Sequence, residues 1–385
     1  MGAGGALDDF PHSPFLGELI VDYTRGKWAD NPIDLVFNGD CFDFLKTGVN
    51  DAWPYHINKE IALRKLDSVL GAHSAFLEAI DTFVHRGGGR NTVHFVTGNH
   101  DAELLFPAVQ RALRNACGGH ELVRFPGFEL NIGPVHFEHG HQFDPLFRMD
   151  PAHTFVSRDA EPLLNLSWAA IGLLSIVMPM HPILYFYDRV LPRSLLFELF
   201  PDLRELFTAL AWRYWTKDFW RGFLIEKDPL LRFEWTMAKE VIKRIAFRNT
   251  EVIIDNQNLA DDLARGDYQL HITGHLHEIG YRQVGAQRVI QSGAMRDEYF
   301  IGAGGTSFKP TLKGFVEVLI DGTDVVGLNT RELHGPVRPA DHMLETILDL
   351  APFVQEQLEL LGDTTRQVAA SQKQERIEAA ESRKK

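Results

Sequence analysis

Side chains able to hold a metal or move a proton fall into four clusters between Gly39 and His277. They read Gly39-Asp40-Cys41-Phe42-Asp43, Gly98-Asn99-His100-Asp101, Glu138-His139-Gly140-His141 and Gly274-His275-Leu276-His277. Asp40 offers a carboxylate with one oxygen for each of two cations. Asn99 offers a neutral amide oxygen, and His139, His275 and His277 offer imidazole nitrogens. This mixture of donors suits Mn²⁺, Fe or Zn²⁺. Two such ions about 3.5–4 Å apart bind phosphate oxygens and make a nucleophile of a bound water at neutral pH. His100, beside Asn99, is placed to protonate a leaving oxygen, with Asp101 orienting its ring. The chemistry these residues point to is two-metal hydrolysis.

Such groups act together only if the chain brings them to one place. Each cluster follows a short apolar run, over 33–37, 92–96, 135–137 and 268–272. Apolar runs of that length ending in Gly and polar residues predict buried strands with functional side chains at their carboxyl ends. Those ends are where open α/β sheets bind ligands. Residues two apart in an extended segment point the same way, so His275 and His277 can face one site. A single Gly-His-x-His is often no more than a pair of core histidines; four ordered clusters at four strand ends argue against that reading.

Between the clusters the pattern is helical. Apolar spacing predicts one helix over 57–84, ended by Arg86-Gly87-Gly88-Gly89, and another over 103–116, ended by Gly118-Gly119. Strand–helix alternation gives an α/β class. Residues 146–250 differ: Trp168, Trp212, Trp215, Trp220 and Trp235 crowd there, and prolines divide the segment into helices. We read a metal-site core over 1–145 and 251–335, an apolar helical insertion over 146–250, and a C-terminal part over 336–385. The last contains an amphipathic helix over 342–361 and a polar tail. The longest apolar stretch, 163–187, contains Asn165, Pro179, His181 and Pro182. These interruptions argue against a spanning helix, which needs about 20 apolar residues. A buried helix pair or a lipid-facing hairpin fits better.

The net charge of −13 over 385 residues, with no basic block before the last residues, argues against nucleic acid as a partner. It leaves open a small phosphorylated substrate, whose charge bound metals would meet. Two cysteines, Cys41 and Cys117, imply no disulfide framework, and the first residues lack the basic and apolar regions of a signal peptide. The expectation is a cytoplasmic location, with peripheral attachment to the inner face of the membrane as the alternative.

Gly-Asp-x-x-Asp, Gly-Asn-His-Asp, His-Gly-His and Gly-His-x-His, in this order, resemble the calcineurin-like metallophosphoesterase family. The resemblance covers roughly residues 2–329. It implies a two-sheet sandwich flanked by helices, with the 146–250 insertion as extra material. It also implies that Asp40 bridges two divalent ions (Mn, Fe or Zn). Asn99, His139 and His275 would complete one metal site, and His277 would belong to the other. His100 would be the acid, and Asp43 would orient a neighbour. His141 would touch metal, a metal ligand or substrate.

The family opens with a strand carrying Asp-x-His, which completes the site that Asp40 and His277 begin. No such motif is present. The nearest pattern, Asp9-Phe10-Pro11-His12, is spaced by three, and Met1–Phe10 resembles the loop after the motif. The expectation is that the numbering starts one strand late, leaving the first metal site incomplete; the alternative is a degenerate, non-catalytic metal-binding module that meets a partner or membrane through its insertion. Within the family, the insertion is similar to that of the UDP-2,3-diacylglucosamine hydrolases. His-Gly-His in place of His-Gly-Asp, and His100 in place of Arg, argue against a lipid A precursor. A phosphorylated small molecule or a lipid-linked phosphoester remains as substrate.

Overall fold

A computed structural model describes residues 1–181, 189–246, 266–285, 287–302 and 307–339, together with 354, 356 and 359. The chain is mixed α/β with several sheets. Its strands are β1 (Asp34–Asn38), β2 (Thr92–Val96), β3 (Val123–Gly127), β4 (Glu129–Ile132), β5 (Val135–Glu138), β6 (Phe155–Arg158), β7 (Glu161–Leu164), β8 (Val190–Leu191), β9 (Leu270–Thr273), β10 (Ile279–Val284), β11 (Gln287–Ser292), β12 (Tyr299–Ile301), β13 (Phe308–Pro310), β14 (Lys313–Asp321) and β15 (Asp324–Leu333). Its helices are α1 (Ser13–Asp22), α2 (Lys59–Ala72), α3 (Ser74–Arg86), α4 (Pro107–Ala116), α5 (Trp168–Gly172), α6 (Arg193–Leu199), α7 (Pro201–Arg213) and α8 (Trp235–Ala246).

Two sheets carry the four polar clusters. In the first, β1, β2 and β3 run parallel in that order. In the second the order is β10-β11-β9-β5-β4, with β5, β9 and β11 parallel and antiparallel strands at both edges. β2 is buried along its whole length, with Val93, Phe95 and Val96 apolar and His94 paired with Asp34 at 2.8 Å. Phe37 of β1 and Phe95 of β2 stack at 5.0 Å, and Phe76 of α3 meets Phe37 edge-on at 5.3 Å. Offset and edge-to-face pairs of this kind add to the burial energy of the rings. One face of the second sheet, with Val135, Phe137, Leu270, Ile272 and Ile290, packs against Val36 of β1 and the β14–β15 hairpin.

The predicted helix over 57–84 is two helices. Asn58 caps α2 by accepting the Ile61 amide at 2.9 Å. The break falls at His73, whose Nε2 lies 2.9 Å from both the Gly2 carbonyl and Asp8 Oδ2. A buried long-range partner, not a helix breaker, ends α2. The helix predicted over 103–116 starts later, at Pro107, because Ala102–Leu105 is a 3₁₀ turn.

The apolar stretch over 163–187 is described as far as His181. It forms the end of β7, α5, a π-helical segment over Leu173–Val177 and a 3₁₀ turn over Met178–Met180. Leu166, Ala170, Ile171, Leu174 and Met178 are buried in the main core. Among the described residues, no helix is long and apolar enough to cross a membrane. Trp212, Leu224, Ile225 and Trp235 in the same part of the chain are largely exposed. The C-terminal helix expected over 342–361 lies outside the described residues apart from positions 354, 356 and 359, and the tail over 362–385 lies wholly outside them.

Candidate functional site

The four clusters leave the carboxyl ends of β1, β2, β5 and β9, and local backbone chemistry turns them toward one another. Gly39 has φ +82°, Asp40 +53°, Gly140 +100°, His275 +69° and His277 +61°. Left-handed geometry at three non-glycine residues is costly and clusters at functional sites. Close approach is enforced as well. A Cβ at Gly39 would stand 2.4 Å from Cγ of His139, and one at Gly98 would stand 2.1 Å from Oδ1 of Asp40. Only glycine lets these chain segments pass so near the polar groups.

Asn38 joins the two sheets at this point. Its side-chain amide donates to the carbonyls of Glu138 (2.8 Å) and Ile272 (3.1 Å). The Asn38 carbonyl in turn accepts from Nδ1 of His139 at 2.8 Å. That bond leaves Nε2 of His139 facing Oδ2 of Asp40 at 3.0 Å. A carbonyl on one nitrogen, turning the other toward a ligand position, is the usual support of a metal-binding imidazole. Asp40 also accepts the His100 amide at 2.8 Å through Oδ1. Burial alone would raise the Asp40 pKa; His139 and His100 outweigh it and hold the carboxyl well below the usual range.

Several buried lone pairs around Asp40 have no hydrogen bond. They belong to Oδ1 of Asn99, one ring nitrogen of His141 (its other, also unpartnered, is an N–H in the neutral ring) and Nε2 of His275. Nε2 of His275 has Asp144 Oδ2 at 3.6 Å, beyond hydrogen-bonding range. The rings of His139 and His275 are 5.4 Å apart, and those of His139 and His141 are 5.6 Å apart. Burial, with His139 and His275 as neighbours, keeps His141 neutral by pushing its pKa well below the ordinary imidazole value. Buried unpaired acceptors are costly unless something positive meets them. Oxygen and imidazole donors in this state fit a divalent cation.

His100 is oriented by Asp43, not by Asp101. Its Nδ1 lies 2.9 Å from Asp43 Oδ1. Burial opposes its charge, but Asp43 and Asp40 prevail and lift its pKa to about 9. Asp101 instead accepts the backbone amides of Gly98 at 2.6 Å and Cys41 at 2.8 Å. The residue adjacent in sequence points its carboxylate into the turn, where it fastens the second cluster to the first.

His277 turns to a different partner from the others. Its Nδ1 lies 2.7 Å from Glu298 Oε1, and a chain of ion pairs leads on from there. Arg296 lies 3.3 Å from Glu298 and 3.0 Å from Asp9; Lys46 lies 2.6 Å from Asp9 and 3.6 Å from Asp43. Arg189 also reaches Asp9, at 2.6 Å. His277 and His100 thus stand at the two ends of one network of charged side chains. Asp9 and His12 do not form a joint ligand pair: Asp9 sits among these cations, while His12 lies 3.2 Å from Asp297.

One cluster escaped the reading of the sequence. Among the described residues, the His/Cys/Asp/Glu group whose ligand atoms all lie within 4.8 Å of one another is His136, Glu138 and His271. The signal available was His-x-Glu in β5, two residues of one strand face, beside an internal histidine in β9. No family model matches this sequence, and no curated protein matches it.

Proposed function

We propose that this chain is a metal-dependent phosphoester hydrolase of the calcineurin-like metallophosphoesterase type. The observation that carries the proposal is the set of buried, unpaired lone pairs on Asn99, His141 and His275 around the Asp40–His139 contact. Asp40, Asn99, His139 and His275 would hold one ion, and Asp40 with His277 would contribute to a second. In this reading the sheets β1–β3 and β10-β11-β9-β5-β4 are the halves of that family's sandwich.

Bound there, divalent ions would draw charge from the phosphoryl oxygens and supply the attacking water. The rest is the work of the chain. Asp43 accepts from Nδ1 of His100, which leaves the Nε2–H to protonate the departing oxygen. Asp101 fixes the turn from which Asn99 and His100 project. Asn38 holds His139 at its separation from Asp40. Lys46, 3.6 Å from the Asp43 that holds His100, would add positive charge on that side of the site.

An amphipathic or lipid-linked phosphoester is supported by the exposed Trp212, Leu224, Ile225 and Trp235; the apolar cleft bordered by Trp168, Tyr214, Trp215 and Phe219 measures only ≈ 50 Å³ and does not itself house an acyl chain. The exposed Trp212 and Trp235 would sit at a cytoplasmic membrane surface. Hydrolysis of bis-p-nitrophenyl phosphate with added Mn²⁺ tests the function. Turnover that Asp40→Asn removes is expected; a folded chain with no turnover under Mn²⁺, Fe²⁺ or Zn²⁺ would overturn it. The second reading, a non-catalytic metal-binding module, is favoured by the exposed aromatic side chains and by Asp9 and His12 being engaged by Lys46, Arg189, Arg296 and Asp297 rather than paired as ligands. It predicts metal uptake without turnover.

A further inference from the structure

His136 and His271 are direct neighbours on the parallel strands β5 and β9. Glu138, two residues beyond His136, shares their sheet face. The opposite face of the same strands holds Val135, Phe137, Leu270 and Ile272 in an apolar core. His136 and Glu138 are each 7% exposed and His271 is 2% exposed. Three ionisable or metal-binding groups are therefore enclosed on the sheet face opposite that apolar core.

Their hydrogen bonds do not complete the arrangement. Nδ1 of His136 lies 2.6 Å from Asn131 Oδ1, an acceptor, and so carries a proton. In the neutral ring this leaves a lone pair on Nε2, which faces Glu138 Oε1 at 3.6 Å. Between that nitrogen and the carboxylate oxygen there must lie either a proton or a metal cation. Nε2 of His271 approaches the same oxygen at 2.7 Å, yet neither ring nitrogen of His271 makes a hydrogen bond of proper geometry. In a tetrahedral zinc site with bonds of about 2.05 Å, donors stand about 3.3 Å apart. The two contacts to Glu138 bracket that spacing.

We propose that His136 Nε2, Glu138 Oε1 and His271 Nε2 bind a divalent cation of the zinc class, separate from any ion at Asp40. Two imidazoles and one carboxylate leave a fourth position for water. Asn131 acts as a positioning residue, fixing the tautomer and ring of His136. The ion ties β5 to β9 just before the turns that present His139 and His275. This inference does not depend on phosphoester chemistry.

The test uses full-length Asp40→Asn/His275→Gln protein, which disarms the first cluster, stripped of metal and titrated with Zn²⁺ alone. One tightly held zinc per chain is expected, together with a rise in melting temperature that a chelator reverses. His271→Gln on that background should abolish this zinc, and Asn131→Leu should weaken it about 10–100-fold. Absence of zinc from the double variant would overturn the proposal. So would zinc binding unchanged by His271→Gln or, where that protein fails to fold, unchanged by Asn131→Leu.

Discussion

Nδ1 of His100 and Oδ1 of Asp43 lie 2.9 Å apart, although 57 residues separate them in the chain. The pair spans the first and second clusters and fixes which nitrogen of His100 is turned away from the protein. If His100 is the acid, its effect must depend on the leaving group. His100→Gln should slow hydrolysis of an alkyl phosphodiester by about 10²–10⁴-fold. Bis-p-nitrophenyl phosphate, whose leaving oxygen needs no proton, should lose about tenfold or less. Equal losses on both substrates would remove His100 from that role.

Asp101 predicts a different signature. Its carboxylate closes the turn by accepting the Gly98 and Cys41 amides. Asp101→Ala strands those donors, at a cost of about 3 kcal/mol. Urea denaturation should show this loss with or without metal. A variant of unchanged stability and reduced turnover would contradict it.

Gly98→Ala sets the added methyl carbon against Oδ1 of Asp40. The methyl would also stand 2.5 Å from the Asp40 backbone nitrogen, so if Asp40 is a metal ligand as proposed, the substitution should shift both its carboxylate and the turn that carries it. Manganese content after gel filtration should fall while the circular dichroism spectrum is kept. Full metal loading by Gly98→Ala would show that Asp40 is not a ligand.

Acid stability should depend on Asp8. Burial raises its pKa, but the hydrogen bond with His73, the chain's amino group and the Gly2 amide together depress it strongly. A depressed folded-state pKa means that the unfolded chain binds the proton more readily. The stabilisation is therefore complete above the ordinary carboxylate value of about 4 and fades as pH falls below it. Asp8→Asn should cost about 1–3 kcal/mol at pH 7 and flatten the stability profile between pH 4 and 2. A profile of unchanged slope would mean that another carboxylate governs acid unfolding.

Lys65 of α2 and Glu103, just after the second cluster, form a fully buried ion pair at 3.0 Å. Lys65→Met leaves the carboxylate without its partner and should cost about 3–5 kcal/mol. Adding Glu103→Leu should recover most of that loss, because the uncompensated charge is then gone. A double-mutant cycle by urea denaturation measures this; two additive losses would show that the pair is not coupled.

The strands that carry the clusters were legible because each is an apolar run closed by Gly and polar residues, a pattern local to ten residues. The convergence of their ends was legible for the same reason. What local pattern could not reveal were partners chosen across the fold. The helical spacing on both sides of His73 continues without a breaker, so the break depends on Gly2 and Asp8 some seventy residues away. Asp101, next to His100, was the natural choice to hold its ring; the backbone turn sends that carboxylate inward and brings Asp43 instead. His136 sat inside the predicted run 135–137 and Glu138 opened the third cluster, but their pairing with His271 requires knowing that β5 and β9 are neighbours.

Asn38 couples tolerance and function in an unusual way. One side-chain amide spans two sheets where a strand ladder would use many bonds. That amide is one of the bonds that set the gap between Asp40 and His139, with the Asn38 carbonyl, the Gly274 amide and the His100 amide as the others. Exchange of Asn38 for Asp would remove the donor and reset that gap, while leaving every ligand residue in the sequence intact. If Asp40 and His139 hold a metal as proposed, its preference can drift through a position outside the ligand set.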